Sequence, residues 1–125
     1  MRKLSVPAVV AVSVVALLAT SASGLAASGT SAPSVVKVTA LASGLKYNTK
    51  TLRARAGKVK LVFTNLSTLH HNVRLEQGEK EFGGTKTIGK GTTSTVVTLK
   101  KGKYHFYCSV PGHEDAGMSG TLTIS

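Results

Sequence analysis

From Val35 to the C-terminus, apolar residues recur at every second position in short runs broken by glycine, the signature of half-buried strands. In Val59-Lys60-Leu61-Val62-Phe63 the apolar side chains of 59, 61 and 63 share one face and Lys60 takes the other. Thr95-Val96-Val97-Thr98-Leu99 and Gly120-Thr121-Leu122-Thr123-Ile124 repeat the pattern, and Lys100-Lys101-Gly102-Lys103 is a turn between two strands. No stretch keeps a helical period. Roughly seven or eight short strands at this spacing predict an all-β protein, a Greek-key β-sandwich. The segment from Gln77 to Thr93, with Gly78, Gly83, Gly84, Gly89 and Gly91, is expected to be a glycine-rich loop. Gly84-Thr85-Lys86-Thr87-Ile88-Gly89-Lys90 approaches a phosphate-binding loop. Gly91 stands where that loop needs Ser or Thr, and no strand–loop–helix context surrounds it, which argues against nucleotide binding. Asn65-Leu66-Ser67 fits a glycosylation sequon by chance.

The N-terminus has a different texture. Met1-Arg2-Lys3 is a short positive region, Leu4 to Ala19 is almost wholly apolar, and small residues follow through Ala27. This is the layout of a secretory signal peptide, with cleavage expected after Ala22, Ala26 or Ala27. The alternative is a retained anchor, for which the apolar stretch is short. The expected organisation is therefore a signal at 1–27, a small, polar, flexible leader at 28–34 and one domain at 35–125. The destination is the periplasm, or the extracellular or cell-surface space.

Charge adds a constraint on partners. The chain has 16 basic and 5 acidic residues, a formal net charge of +11. Export argues against nucleic acid, and the lysines are scattered beside predicted strands, so a solvated basic surface is the simplest reading. Peripheral association with anionic surfaces is the alternative use of that charge. There is a single cysteine, which rules out an intramolecular disulfide and leaves an exported thiol in need of a partner.

That thiol sits in the chemically densest stretch, Tyr104-His105-Phe106-Tyr107-Cys108-Ser109-Val110-Pro111-Gly112-His113-Glu114-Asp115-Ala116-Gly117-Met118. A strand with Tyr104, Phe106 and Cys108 on one face runs into a Pro-Gly loop that presents a thiolate, an imidazole and a thioether in turn. A further imidazole is available upstream, in Leu69-His70-His71-Asn72-Val73. Two imidazoles and a thiolate in a plane, with a weak thioether, bind copper in both oxidation states, because soft sulfur favours Cu(I) and nitrogen keeps Cu(II) accessible. Each residue also has a plainer use: Cys108 as a buried thiol, His113 as surface, Met118 as core filler. Zinc would accept the same nitrogen and thiolate donors but leaves the methionine unexplained.

These residues resemble the cupredoxin family, blue type 1 copper proteins of the plastocyanin, azurin and rusticyanin type. Tyr-x-Phe-Tyr-Cys-x4-His-x4-Met together with an upstream His-Asn carries the resemblance, which extends over about Val35 to Ser125. The Cys–His gap is closer to rusticyanin than to plastocyanin, and Ser-Val-Pro-Gly-His is similar to the azurin loop. The resemblance implies one copper ion held by His71, Cys108, His113 and Met118. His71 is preferred to His70 because the family places Asn directly after this ligand. The resemblance further implies that the Asn72 amide reaches the Cys108 sulfur and that the Asn72 side chain ties its loop to Ser109. Val110 keeps an N–H that could make a second bond to the sulfur. His105 alternates away from Cys108 and is expected to be exposed.

The implied function is single-electron transport between redox partners of the cytochrome or oxidase type, by a monomer, with His113 as the exit route. Val110, Pro111 and Ala116 would form an apolar docking patch, although Glu114 and Asp115 stand beside it. The alternative is copper delivery or sequestration, which the scarcity of methionine disfavours. Enzymatic activity is not expected, because copper oxidases need several His-x-His motifs and a binuclear site needs a second cysteine.

Overall fold

The computed structural model describes residues 31–125; the expected signal at 1–27 and the first three residues of the expected leader lie outside the described residues. Eight strands follow in order: β1 Ser34–Ala40, β2 Thr51–Ala54, β3 Gly57–Asn65, β4 Arg74–Gln77, β5 Lys80–Gly84, β6 Gly91–Leu99, β7 Gly102–Tyr107 and β8 Ser119–Ile124. They form two sheets, a three-stranded one in the order β1-β3-β6 and a five-stranded one in the order β2-β8-β7-β4-β5. The all-β sandwich expected from the alternation is thus present. No helix among the described residues is long and apolar enough to cross a membrane.

Alternation explains how the sheets close on each other. Val36, Val38 and Ala40 of β1 and Val59, Leu61 and Phe63 of β3 are buried, while Val35, Lys37, Lys58 and Lys60 between them are exposed. From the opposite sheet, Tyr104 and Phe106 of β7 and Leu122 and Ile124 of β8 complete the core. Full burial of an aliphatic or aromatic side chain of this size contributes about 1.5–3 kcal/mol. The rings of Phe63 and Phe106 lie 6.3 and 5.7 Å from that of Tyr47, the residue that pins the core to the upper loops.

The expected loop from Gln77 to Thr93 is mostly not a loop. Lys80–Gly84 forms β5, a hairpin partner of β4, and β6 begins at Gly91. Glycine hid this strand from a reading based on side-chain alternation. Gly84 has φ +154° and lies against β4 so closely that a Cβ would stand 2.2 Å from the Val73 carbonyl oxygen. The register slips between Leu75 and Glu76, a bulge that goes with this irregular edge. The sequon is also closed: Asn65 is buried and donates its amide to the carbonyls of Leu69 and Ile88 at 2.8 and 2.9 Å.

Candidate metal centre

At one end of the sandwich, the chain leaves β3, crosses to the larger sheet and returns from β7 to β8. Three structural features place the donor side chains there. Cys108 continues the inward alternation of Tyr104 and Phe106 one step beyond β7 and is fully buried. His71 makes an isolated antiparallel bridge with Ile88, His71 N donating to Ile88 O at 3.0 Å and Ile88 N to His71 O at 2.9 Å. That bridge turns the imidazole inward and leaves His70 outside, where its ring lies against Gly89. His113 and Met118 come from the connection between β7 and β8, which is hydrogen-bonded to itself. His113 N donates to Val110 O at 3.0 Å, Met118 N to His113 O at 3.1 Å and Cys108 N to Met118 O at 3.0 Å. Gly112, with φ +80°, makes the reversal after Pro111 possible. Lys50 braces the far side of the loop by donating to the Gly117 carbonyl.

The resulting donor triangle is compact. His71 Nδ1 and His113 Nδ1 are 3.0 Å apart, and Cys108 Sγ lies 3.8 Å from the first and 3.6 Å from the second. A point in the plane of these three atoms is about 2.0 Å from each, close to the bond lengths first-row metals make with imidazole nitrogen and thiolate sulfur, about 2.0–2.3 Å. The residues therefore fit a metal ion. His71, Cys108 and Met118 are fully buried, whereas His113 keeps part of its ring at the surface. Burial, and then the neighbouring His113, hold the His71 imidazole below its ordinary pKa, which keeps it neutral with a lone pair to give.

A framework of polar groups built on the buried Asn72 holds the triangle. Asn72 Oδ1 accepts from the Ser109 amide at 2.9 Å, and its Nδ2 donates to Ser109 Oγ at 2.7 Å and Thr87 Oγ1 at 2.9 Å. The Asn72–Ser109 tie thus takes the form the resemblance implied. Among the described residues the hydrogen-bond partners of Cys108 Sγ are the two imidazoles, and the amides of Asn72 and Val110 are not among them.

Two contributors escaped the sequence reading. Asn65, at the end of β3, holds the Ile88 carbonyl and so clamps the segment that bridges His71. Tyr47 donates its hydroxyl to the Asn72 carbonyl, and burial followed by the proximity of Cys108 raises its pKa far above the ordinary phenol value. Neither has a local motif, since each acts across 23 to 25 residues of sequence. His105 is only half exposed, because its Nε2 meets Glu114 Oε1 at 2.8 Å.

Comparison with known proteins agrees with this geometry. Residues 34–125 match the family described as copper binding proteins, plastocyanin/azurin family. Among solved structures, the reduced auracyanin of Roseiflexus castenholzii superposes with a TM-score of 0.68 at 20% identity, covering 75% of this chain and 98% of that one. Auracyanin A, titled a blue copper protein, from Chloroflexus aurantiacus gives 0.67 at 20% identity, with 75% and 100% covered. Rusticyanin from Thiobacillus ferrooxidans gives 0.61 at 22% identity, with 75% and 79% covered. No curated protein matches the sequence. With two mixed sheets, a His-Cys-His triangle at their end and a buried methionine beside it, the chain belongs to the plastocyanin/azurin family of copper-binding proteins, the cupredoxins.

Proposed function

We propose that this protein is an exported carrier of single electrons, with one copper ion bound by His71, Cys108, His113 and Met118. The observation that carries the reading is the donor triangle of two imidazoles and one thiolate, buried except at the edge of His113. Copper supplies the Cu(I)/Cu(II) couple at this site. The chain's own residues do the rest. The self-bonded loop, the Asn72–Ser109 tie and the His71–Ile88 bridge hold the donors in one arrangement, so little has to move when the charge changes. Burial of Cys108 and Met118 excludes water from the sulfur side. The partly exposed His113 gives the route to a redox partner at the loop, beside the half-buried Val110 and the exposed Pro111 and Ala116.

The N-terminal layout supports a signal at 1–27 and a leader at 28–34 ahead of a domain at 35–125, with release into the periplasm or outside the cell. Cytochromes or oxidases are the partner class, met one at a time by a monomer whose contact area is small enough to dissociate. No feature of the described residues points to catalysis, and the deep burial of the donors favours retention of the metal over its delivery.

The test is to add one equivalent of Cu(II) to residues 28–125 and record visible and electron paramagnetic resonance spectra. An intense thiolate-to-copper band with narrow copper hyperfine splitting is expected, followed by reversible reduction and rapid exchange with cytochrome c. An ordinary tetragonal copper signal would remove Cys108 from the ligand set. A blue site that surrenders its copper to a competing apo-protein faster than it exchanges electrons would favour delivery.

A further inference from the structure

All five acidic residues of this basic chain lie at two places, Glu76, Glu79 and Glu81 around the β4–β5 hairpin and Glu114 and Asp115 on the loop after His113. On the outer face of the larger sheet these two places meet. Glu76 of β4 is directly opposite His105 of β7 in the antiparallel register. Glu114 reaches the same imidazole from the loop, its Oε1 2.8 Å from His105 Nε2. One donor atom from each of Glu76, His105 and Glu114 lies within 4.8 Å of the other two.

The imidazole makes this more than a gathering of acids. The His105 ring is stacked on Tyr107, with centroids 5.6 Å apart and planes at 13°. Tyr107 is itself tied through its hydroxyl to Glu81 Oε1 at 2.8 Å. The ring is therefore oriented by a neighbour that is oriented in turn. No lysine or arginine pairs with either carboxylate: among the described residues the ion pairs are Arg74–Glu81 and His105–Glu114.

We propose that Glu76, His105 and Glu114 form a second metal site, separate from the buried triangle, for a borderline divalent cation such as Zn(II). One nitrogen and two carboxylate oxygens suit such an ion, with solvent completing the coordination. The imidazole selects against calcium and magnesium, which take oxygen ligands. Glu114 follows His113 directly, so an ion held here places positive charge next to the partly exposed imidazole of the buried site. The second site thereby couples divalent-metal supply to the ease with which the carrier is reduced.

The copper-loaded protein is titrated with Zn(II) by calorimetry while the visible spectrum is followed, so that the buried donors are already engaged. The expected result is one further equivalent bound with the charge-transfer band intact and the copper midpoint potential raised. His105→Ala and Glu76→Gln, both on the solvent face, should each bind Zn(II) at least about tenfold more weakly, the loss usual when metal-site partners are removed. Absence of the extra equivalent, or binding undiminished in both variants, overturns the proposal. Neither result bears on the buried site, whose band is read separately in the same titration.

Discussion

The two sheets of this molecule do different work. The smaller sheet is regular: β1 runs parallel to β3 through seven paired positions and β6 antiparallel through nine, without a break. Its solvent face carries Lys37, Lys58 and Lys60 among threonines and valines, and no acid. The larger sheet is irregular, with a bulge, positive-φ glycines in β5 and every acidic residue on or beside it. The donors His71, Cys108, His113 and Met118 all leave from the ends of β4, β7 and β8. A uniform register makes a stable wall, and chemistry gathers where the register stops.

The sharpest way to separate the sheets is to change one side chain in each. Cys108→Ser should abolish the charge-transfer band altogether while the far-ultraviolet dichroism of the sandwich persists; a band surviving the change would place the thiolate elsewhere. Phe63→Ala, in the smaller sheet, should do the reverse. It removes a fully buried ring and is expected to cost about 3–5 kcal/mol in urea unfolding, while the fraction that remains folded keeps the blue spectrum. A bleached spectrum in folded Phe63→Ala protein would break the division of labour.

Asn65 is where the division blurs, because it belongs to β3 but holds the Leu69 and Ile88 carbonyls next to His71. Asn65→Ala should lower stability by about 1–3 kcal/mol, the usual consequence of stranding buried polar groups. It should also broaden the copper hyperfine pattern, since the His71 bridge loses its clamp. An unaltered spectrum would return Asn65 to a purely architectural role.

The same contrast decides what could be read in advance. Val59, Leu61 and Phe63 announced their strand because packing against a flat neighbour forces alternation, and Tyr104, Phe106 and Cys108 carried that alternation into the metal centre. His113 and Met118 were legible because they follow the cysteine along one loop. β5 was not, since Gly83 and Gly84 have no side chain to alternate: Gly84 stands where a Cβ would strike the backbone of Val73 and Arg74, and Gly83 has φ +93°. Asn65, Tyr47 and the meeting of Glu76 with His105 and Glu114 depend on register between strands distant in sequence, which no local pattern encodes.

Proton uptake offers a milder probe of the donor end. In the metal-free protein, burial and the neighbouring His113 hold His71 below the ordinary imidazole value. The unfolded chain takes up its proton as pH falls through about 6.5, and the folded chain does so only at lower pH. Protonation there favours the unfolded state, so stability should be level above that pH and decline below it until folded His71 titrates. Urea midpoints measured from pH 7.5 downward check the slope, and the His71→Ala protein should lack this part of it.

The smallest effect is expected on the wall itself. Lys60 lies at the middle of β3 with its side chain in solvent, between Val35 of β1 and Val96 of β6. It makes no ion pair among the described residues, and its neighbours across both strands are exposed valines, so Lys60→Gln removes a charge without stranding a partner. Stability should change by no more than about 0.5 kcal/mol, as for surface positions generally. The spectrum and midpoint potential should also hold, since Lys60 is several residues along β3 from Asn65, the residue on this strand that touches the donor end. A shift in potential from this single charge would mean that the smaller sheet reaches the metal centre through its electric field. The distinction between wall and site would then be one of degree, set by how far a lysine's charge carries through the sandwich and its surrounding salt.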